Sequence, residues 1–466
     1  MENNKLKERY GLFTAICMVV GIVIGSGVFF KAQNILKATD GNMLLGILAW
    51  VIGGIVMVIC AFNFANFATR YLKVNGVVDY AEALVGKRYA YMIGWFLTTI
   101  YFPAMTSVLA WVSARYTLVL FNPGADITSG LCMALGALYL CISYVLNVIS
   151  PKLAGKFQVS STVIKLIPLA MIVLVGTIAG LVNGNTTDAF AGSFTMAGGN
   201  GMSVFAGIGA AAFAYEGWII ATSINSELKN AKKNLPRALV IGTLIIMAVY
   251  ITYFIGLTGG ASVEVLMNEG STTAFKNLFG NVGGTVFNAL IVISCLGTLN
   301  GLMLATTRSL YSLSVRGNGP APKLLSNVDP YTNMPMNAGA VSLLFCGVWF
   351  FYFYAANLTK PVFGPFSFDS SELPILTIYA MYIPIFFMFI KKEGKKDIFR
   401  NTVMPTLGII ASLFMMFVAI YAHGIAQYKA AAENGEFAFP VLFYLIVFAV
   451  IMTVGWFLYR GKSESE

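Results

Sequence analysis

Charged side chains are scarce in this chain of 466 residues. Asp, Glu, Lys and Arg together supply 11%, against about 25% in an ordinary soluble domain. That shortage excludes a soluble enzyme, a disordered chain and a nucleic-acid binder. Histidine is nearly missing: His423 stands alone, which leaves little for His-based catalysis or metal ligation. The six cysteines, Cys17, Cys60, Cys132, Cys141, Cys295 and Cys346, all fall in apolar runs, and none stands in a CxxC or zinc-type spacing. Neither a disulfide framework, nor a metal site, nor a cofactor is expected. There is no evident selectivity-filter motif or ring of pore acids, and no nucleophile–base pair, which weighs against an ion channel and a membrane enzyme. What the chain has instead is hydrophobic residues, 58% of the total, with a mean hydropathy of +0.77.

Apolar runs long enough to cross a bilayer recur along the whole sequence. They predict twelve spans, at 11–30, 43–66, 89–120, 128–149, 157–181, 200–223, 236–259, 281–312, 338–356, 373–390, 402–424 and 438–459. The longest gaps, near 67–88, 182–199, 260–280 and 313–337, are loops or short amphipathic pieces, so the whole of 1–466 is one all-α transmembrane domain. Ten polar residues precede the first span and no small-residue cleavage site follows it, so a cleaved signal peptide is not expected. With the N-terminus in the cytoplasm, 23 of the 30 basic residues fall inside and five outside (Lys31, Lys37, Lys276, Lys360 and Lys429), while Arg115 and Lys165 lie within spans. This bias predicts cytoplasmic termini and an even number of spans. The formal net charge of +10 then reads as basic loops facing anionic lipid, the run Lys391-Lys392-Glu393-Gly394-Lys395-Lys396 among them.

Two spans carry features that weaken a helix. The first contains Gly21, Gly25, Ser26 and Gly27 in close succession. Gly21 and Gly25 suit close helix packing through small residues four apart. They equally suit a helix unwound at mid-membrane, whose second half would begin with the N–H groups of Ser26, Gly27 and Val28 aimed at an anion. Glycine at 25 and 27 would let backbone approach a ligand without an intervening Cβ. The sixth span reads Gly207 to Trp218 and places the carboxylate of Glu216 near mid-span, where it costs at least ~2.5 kcal/mol. Spans one and six each open a set of five, as an inverted repeat of five plus five requires: 11–181, then 200–390, with two further helices at 402–459.

These segments resemble the amino acid–polyamine–organocation superfamily, and most of all its L-amino acid transporter branch. Gly25-Ser26-Gly27-Val28-Phe29 is similar to the family's first-helix GSGIF. Phe213-Ala214-Tyr215-Glu216-Gly217-Trp218, followed by Glu227-Leu228-Lys229-Asn230 and Lys233-Asn234-Leu235-Pro236-Arg237, resembles the sixth helix and its cytoplasmic exit. Gln158 with Lys165-Leu166-Ile167-Pro168-Leu169 resembles the fifth helix, and Ser294, Gly297, Asn300-Gly301 and Arg308 the eighth. Phe30-Lys31-Ala32 stands where the family has a Ser-Pro, and Arg316-Gly317 where it has Asp-Gly. The resemblance implies a leucine-transporter-like fold with helices one and six broken, and amino acid substrates.

The resemblance also assigns roles. A substrate carboxylate would rest on the backbone of Gly25, Ser26, Gly27 and Val28. The substrate ammonium would meet the carbonyls of Val23, Phe213 and Glu216. Phe213 would close over it as an aromatic gate, with Tyr215, Gly217 and Asn300 as further pocket candidates. Glu216 stays open between a counter-ion for a cationic substrate, a proton site and a structural acid. Lys165 reads either as a snorkelling lysine or, by resemblance, as a fixed ammonium in the place of a sodium ion with the Ser294 hydroxyl beside it. The expectation is a sodium-independent transporter in the plasma membrane, an exchanger of neutral L-amino acids by alternating access. A proton-coupled symporter or a cationic amino acid transporter of the same fold is the alternative. The loop Phe121–Ile127 holds no cysteine, so no disulfide-linked heavy subunit is expected. Tyr101 and Pro103 predict a kink in span three, and His423 a lone residue at the outer interface.

Overall fold

The computed structural model of the chain describes residues 11–25, 27–71, 76–122, 124–195, 203–219, 228–358 and 360–461. Among these, ten helices are long and apolar enough to cross a membrane. Thirteen helices frame the two breaks and their surroundings. They are α1 (Leu12–Val23), α2 (Gly27–Ala38), α3 (Met43–Arg70), α4 (Lys87–Phe121), α5 (Gly130–Ile149), α6 (Pro151–Val182), α7 (Ser203–Tyr215), α8 (Ala231–Leu257), α9 (Ser271–Val315, kinked at Gly280, where φ is +74°), α10 (Met336–Ala356), α11 (Leu373–Lys396), α12 (Phe399–Glu433) and α13 (Pro440–Leu458). The expected spans 11–30 and 200–223 contain shorter helices, α1 with the start of α2, and α7. Short helices occupy all four of the expected gaps: Val77–Leu84, Asn185–Thr195, Val263–Glu269 and Pro322–Leu325.

Proline and glycine account for the irregularities inside the long helices. In α4 the turn Leu97–Tyr101 widens to a π-type turn just before Pro103, at the place where a kink is expected. A proline has no N–H to continue the ladder, and a bulge relieves the clash of its ring. Lys165 stands between two helical segments of α6, Pro151–Ile164 and Leu166–Met171. There Pro168 cannot donate to the Ile164 carbonyl.

The chain forms two compact units, Met1–Arg70 with Ser161–Ser294 and Tyr71–Ser160 with Cys295–Glu466. In the first, α1 and α3 pack on α8, and α2 and α3 pack on α7. Small residues permit the approach: a Cβ at Gly242 would stand 2.7 Å from Val19 Cγ1, and one at Gly256 would stand 2.5 Å from the Ile172 carbonyl oxygen. Backbones so close gain dispersion contacts that lipid tails cannot offer.

In the second unit α4, α5 and α10 pack together, and α11 packs on α12. Trp349 donates its indole N–H to the Thr99 carbonyl at 2.8 Å, which lies in the π-type turn, and Trp95 donates to Ile451 at 2.9 Å. Arg316, at the end of α9, pairs with the buried Asp79 at 2.6 Å and with Glu82 at 3.5 Å on the helix Val77–Leu84. His423 departs from its expected interfacial place. It is buried, with Nε2 3.1 Å from Oε2 of Glu372, because a polar ring in an apolar layer is retained only beside a polar partner.

Candidate functional site

Both helix breaks exist, and both lie in the first unit. Helix α1 ends at Val23, after which Ile24 turns extended (φ −65°, ψ 99°) and donates its N–H back to Val20 at 2.9 Å. Ser26, one of the expected carboxylate ligands, lies outside the described residues. Helix α2 opens at Gly27, so the N–H groups of Gly27 and Val28 belong to a first turn and have no intrahelical acceptor. The second break follows Tyr215. The N–H of Glu216 donates to the Phe213 carbonyl at 3.3 Å, and Gly217 has φ +104°, a conformation that L side chains rarely adopt. Glu216 itself is 6% exposed.

The two breaks touch. A Cβ on Gly27 would stand 2.8 Å from the Ala214 Cα and 3.3 Å from Phe213 Cδ1. Phe213 meets Phe30 edge to face, with ring centroids 5.3 Å apart. Val23, Gly25, Gly27, Val28, Phe213, Glu216 and Gly217 are thereby gathered around one pair of helix ends. Tyr215 points elsewhere. Its hydroxyl donates to the Trp50 carbonyl at 2.9 Å, and its ring packs on Trp50 and Tyr250.

A residue missed from sequence joins the breaks. The hydroxyl of Tyr250, on α8, lies 3.2 Å from the Val23 carbonyl oxygen and 3.0 Å from that of Ala214. One side chain thus spans the end of α1 and the end of α7. Tyr250→Phe keeps the ring packing but removes this donor. Stability is expected to fall by on the order of 1 kcal/mol, seen as a lower thermal midpoint of the purified protein. Uptake is expected to fall several-fold more than that loss of folded protein explains; unchanged uptake would show that the bridge is not needed.

Lys165 is buried, and its Nζ donates to the Gly21 carbonyl of α1. It does not snorkel to the interface: the turn before Pro168 aims it inward. Thr162, one turn earlier, packs its methyl against Gly21. Ser294 is fully buried on α9 in the same unit. Asn300 belongs to the other unit. There Asn147 donates to its backbone and side-chain oxygens at 3.1 and 3.0 Å, and its own amide donates to the Ala154 carbonyl at 3.3 Å. Lys31, counted above among the external charges, is instead buried on α2; the aromatic rings around it account for the difference.

A model of the amino acid permease family matches residues 10–451. The chain belongs to this family. Its place is in the amino acid–polyamine–organocation superfamily, near the L-amino acid transporter branch, among transporters rather than enzymes. It is 31% identical over 430 residues to the serine/threonine exchanger SteT of Bacillus subtilis (strain 168), covering 90% of this chain and 91% of that one. It is 24% identical to the b(0,+)-type amino acid transporter 1 of Mus musculus, covering 92% and 86%, and 26% identical to the cystine/glutamate transporter of Homo sapiens, covering 72% and 66%. Among solved structures, MhsT in complex with L-phenylalanine superposes with a TM-score of 0.58 at 14% identity, covering 90% of this chain and 99% of that one. That likeness carries the fold, a leucine-transporter-like helical membrane protein with helices one and six broken. This permease is a multi-pass membrane protein that transports amino acids.

Proposed function

We propose that this permease is a sodium-independent exchanger of neutral L-amino acids, working by alternating access in the plasma membrane with both termini in the cytoplasm. The substrate carboxylate rests on the N–H groups at Gly25, Ser26, Gly27 and Val28, where the start of α2 favours an anion. The ammonium is taken by the carbonyls of Val23, Phe213 and Glu216. Phe213 closes over the ligand, with Gly217 in a supporting place. Recognition through main chain leaves the substrate side chain little constrained, which suits exchange among related amino acids. The 1–466 chain acts as one domain, with its inverted repeats at 11–181 and 200–390.

The observation that carries the reading is the Lys165 ammonium on the Gly21 carbonyl. A fixed cation stands at the first break, where a coupling ion would otherwise be needed to hold the unwound helix, and Ser294 is its hydroxyl companion. Proteoliposomes test it with labelled serine. Uptake is expected to rise several-fold when the vesicles are preloaded with serine or threonine, and to be unchanged when choline replaces sodium. A steep sodium dependence would remove the Lys165 assignment. Equal uptake into empty vesicles, driven by a pH gradient, would favour proton coupling instead, for which the buried Glu216 is the candidate group. No disulfide-linked heavy subunit enters the proposal, and the protein's remaining partner is membrane lipid.

A further inference from the structure

Lys31 lies on α2, and the proposed backbone pocket makes no use of it. It follows Gly27 by four residues on α2, so the two side-chain positions share a helix face. Its side chain is 1% exposed. The Nζ atom stands 5.0 Å from the centroid of the Phe213 ring and 5.4 Å from that of Phe30. Two aromatic rings thus flank this ammonium in a largely dry setting, and their quadrupoles favour a cation there. Phe213 is also the ring that packs beside Gly27. A positive charge therefore lies one aromatic ring away from the paired helix ends.

We propose that the Lys31 ammonium excludes cationic side chains from this site, so that charge rejection is part of how the permease chooses its substrates. The inference rests on the reading that the two breaks bind the substrate backbone. Every amino acid brings the same carboxylate and ammonium to those breaks, so discrimination falls on the side chain. A lysine or ornithine side chain carries its charge into the field of Lys31, where low dielectric screens poorly. A neutral side chain of the same length meets no such repulsion. Glu216 is the competing charge, and the test decides between them.

The experiment compares wild type, Lys31→Met and Lys31→Arg in proteoliposomes, with labelled serine displaced by lysine, ornithine or methionine. In Lys31→Met the concentration of lysine needed for half inhibition is expected to drop at least about tenfold, while that of methionine stays within about threefold. Lys31→Arg keeps the wild-type ratio, since it keeps the charge. An unchanged lysine-to-methionine ratio in Lys31→Met overturns the proposal, as does an equal shift in Lys31→Arg. If Lys31→Met takes up nothing, thermal stabilisation of the purified protein by methionine and by lysine supplies the same ratio. Stabilisation by neither would make Lys31 a scaffold residue and overturn its selective role. Failure of the underlying site shows separately, as uptake retained after Gly27→Val, whatever the ratio.

Discussion

Gly27→Val is expected to abolish uptake while leaving a folded protein. The first added atom would stand 2.8 Å from the backbone of Ala214 and 3.3 Å from Phe213, and backbone cannot swing aside as a flexible side chain can. The start of α2 and the end of α7 must part, and the donors on one no longer face the carbonyls on the other. A misplacement of this size costs on the order of a hundredfold in a positioned reaction, and an uptake assay would read that as background. Most of the first unit's packing, α3 on α8 and α1 on α8, lies away from the contact, so elution as a single species is expected to persist. Gly347→Val is the control. A Cβ there meets nothing within 4 Å, and transport should be unaffected. Normal uptake by Gly27→Val would end the proposal that the two breaks form the binding site.

Lys165→Ala is expected to lower exchange by at least about tenfold while substrate affinity stays within about threefold, because the backbone donors at Gly27 and Val28 remain while the fixed charge is lost. The Gly21 carbonyl loses a charged donor, which by itself costs about 1–3 kcal/mol. Removing a buried ammonium offsets that cost, so the thermal midpoint should move little and can rise. The split between turnover and affinity is the decisive measurement. Undisturbed exchange, or an equal loss in both, would show that the charge does not hold α1 in its working position.

How much of this was legible in the sequence depended on whether a signal was local. Three glycines around Ser26 and a carboxylate at Glu216 mark weakened helices without any knowledge of their neighbours, and both breaks stand where those residues are. The Met43–Arg70 span announces itself by length and hydropathy, save for its last turn. Tyr250 does not. It is one aromatic residue in an apolar run, and periodicity cannot say which of several rings in α8 faces a helix end. Lys31 misled for a related reason: a basic residue near the end of a span looks like a loop charge until the rings that enclose it are known. His423 and Glu372 are 51 residues apart, and a single sequence does not disclose such pairs. Tyr215 matched the family motif, yet its hydroxyl is committed to Trp50.

A phenol has a single hydrogen to donate, and two carbonyls compete for that of Tyr250. Val23 and Ala214 lie at nearly equal distance from it, so the hydrogen is either divided between them, with both bonds weakened, or given to one at the other's expense. Such a position is indivisible in a way that backbone packing is not. It links two segments far apart in the chain by a resource neither can duplicate. It also leaves little evolutionary latitude, because serine and threonine are too short to reach, and phenylalanine brings the ring without the hydrogen. A substitution here would have to be matched by a new donor on another helix before the old one could be lost.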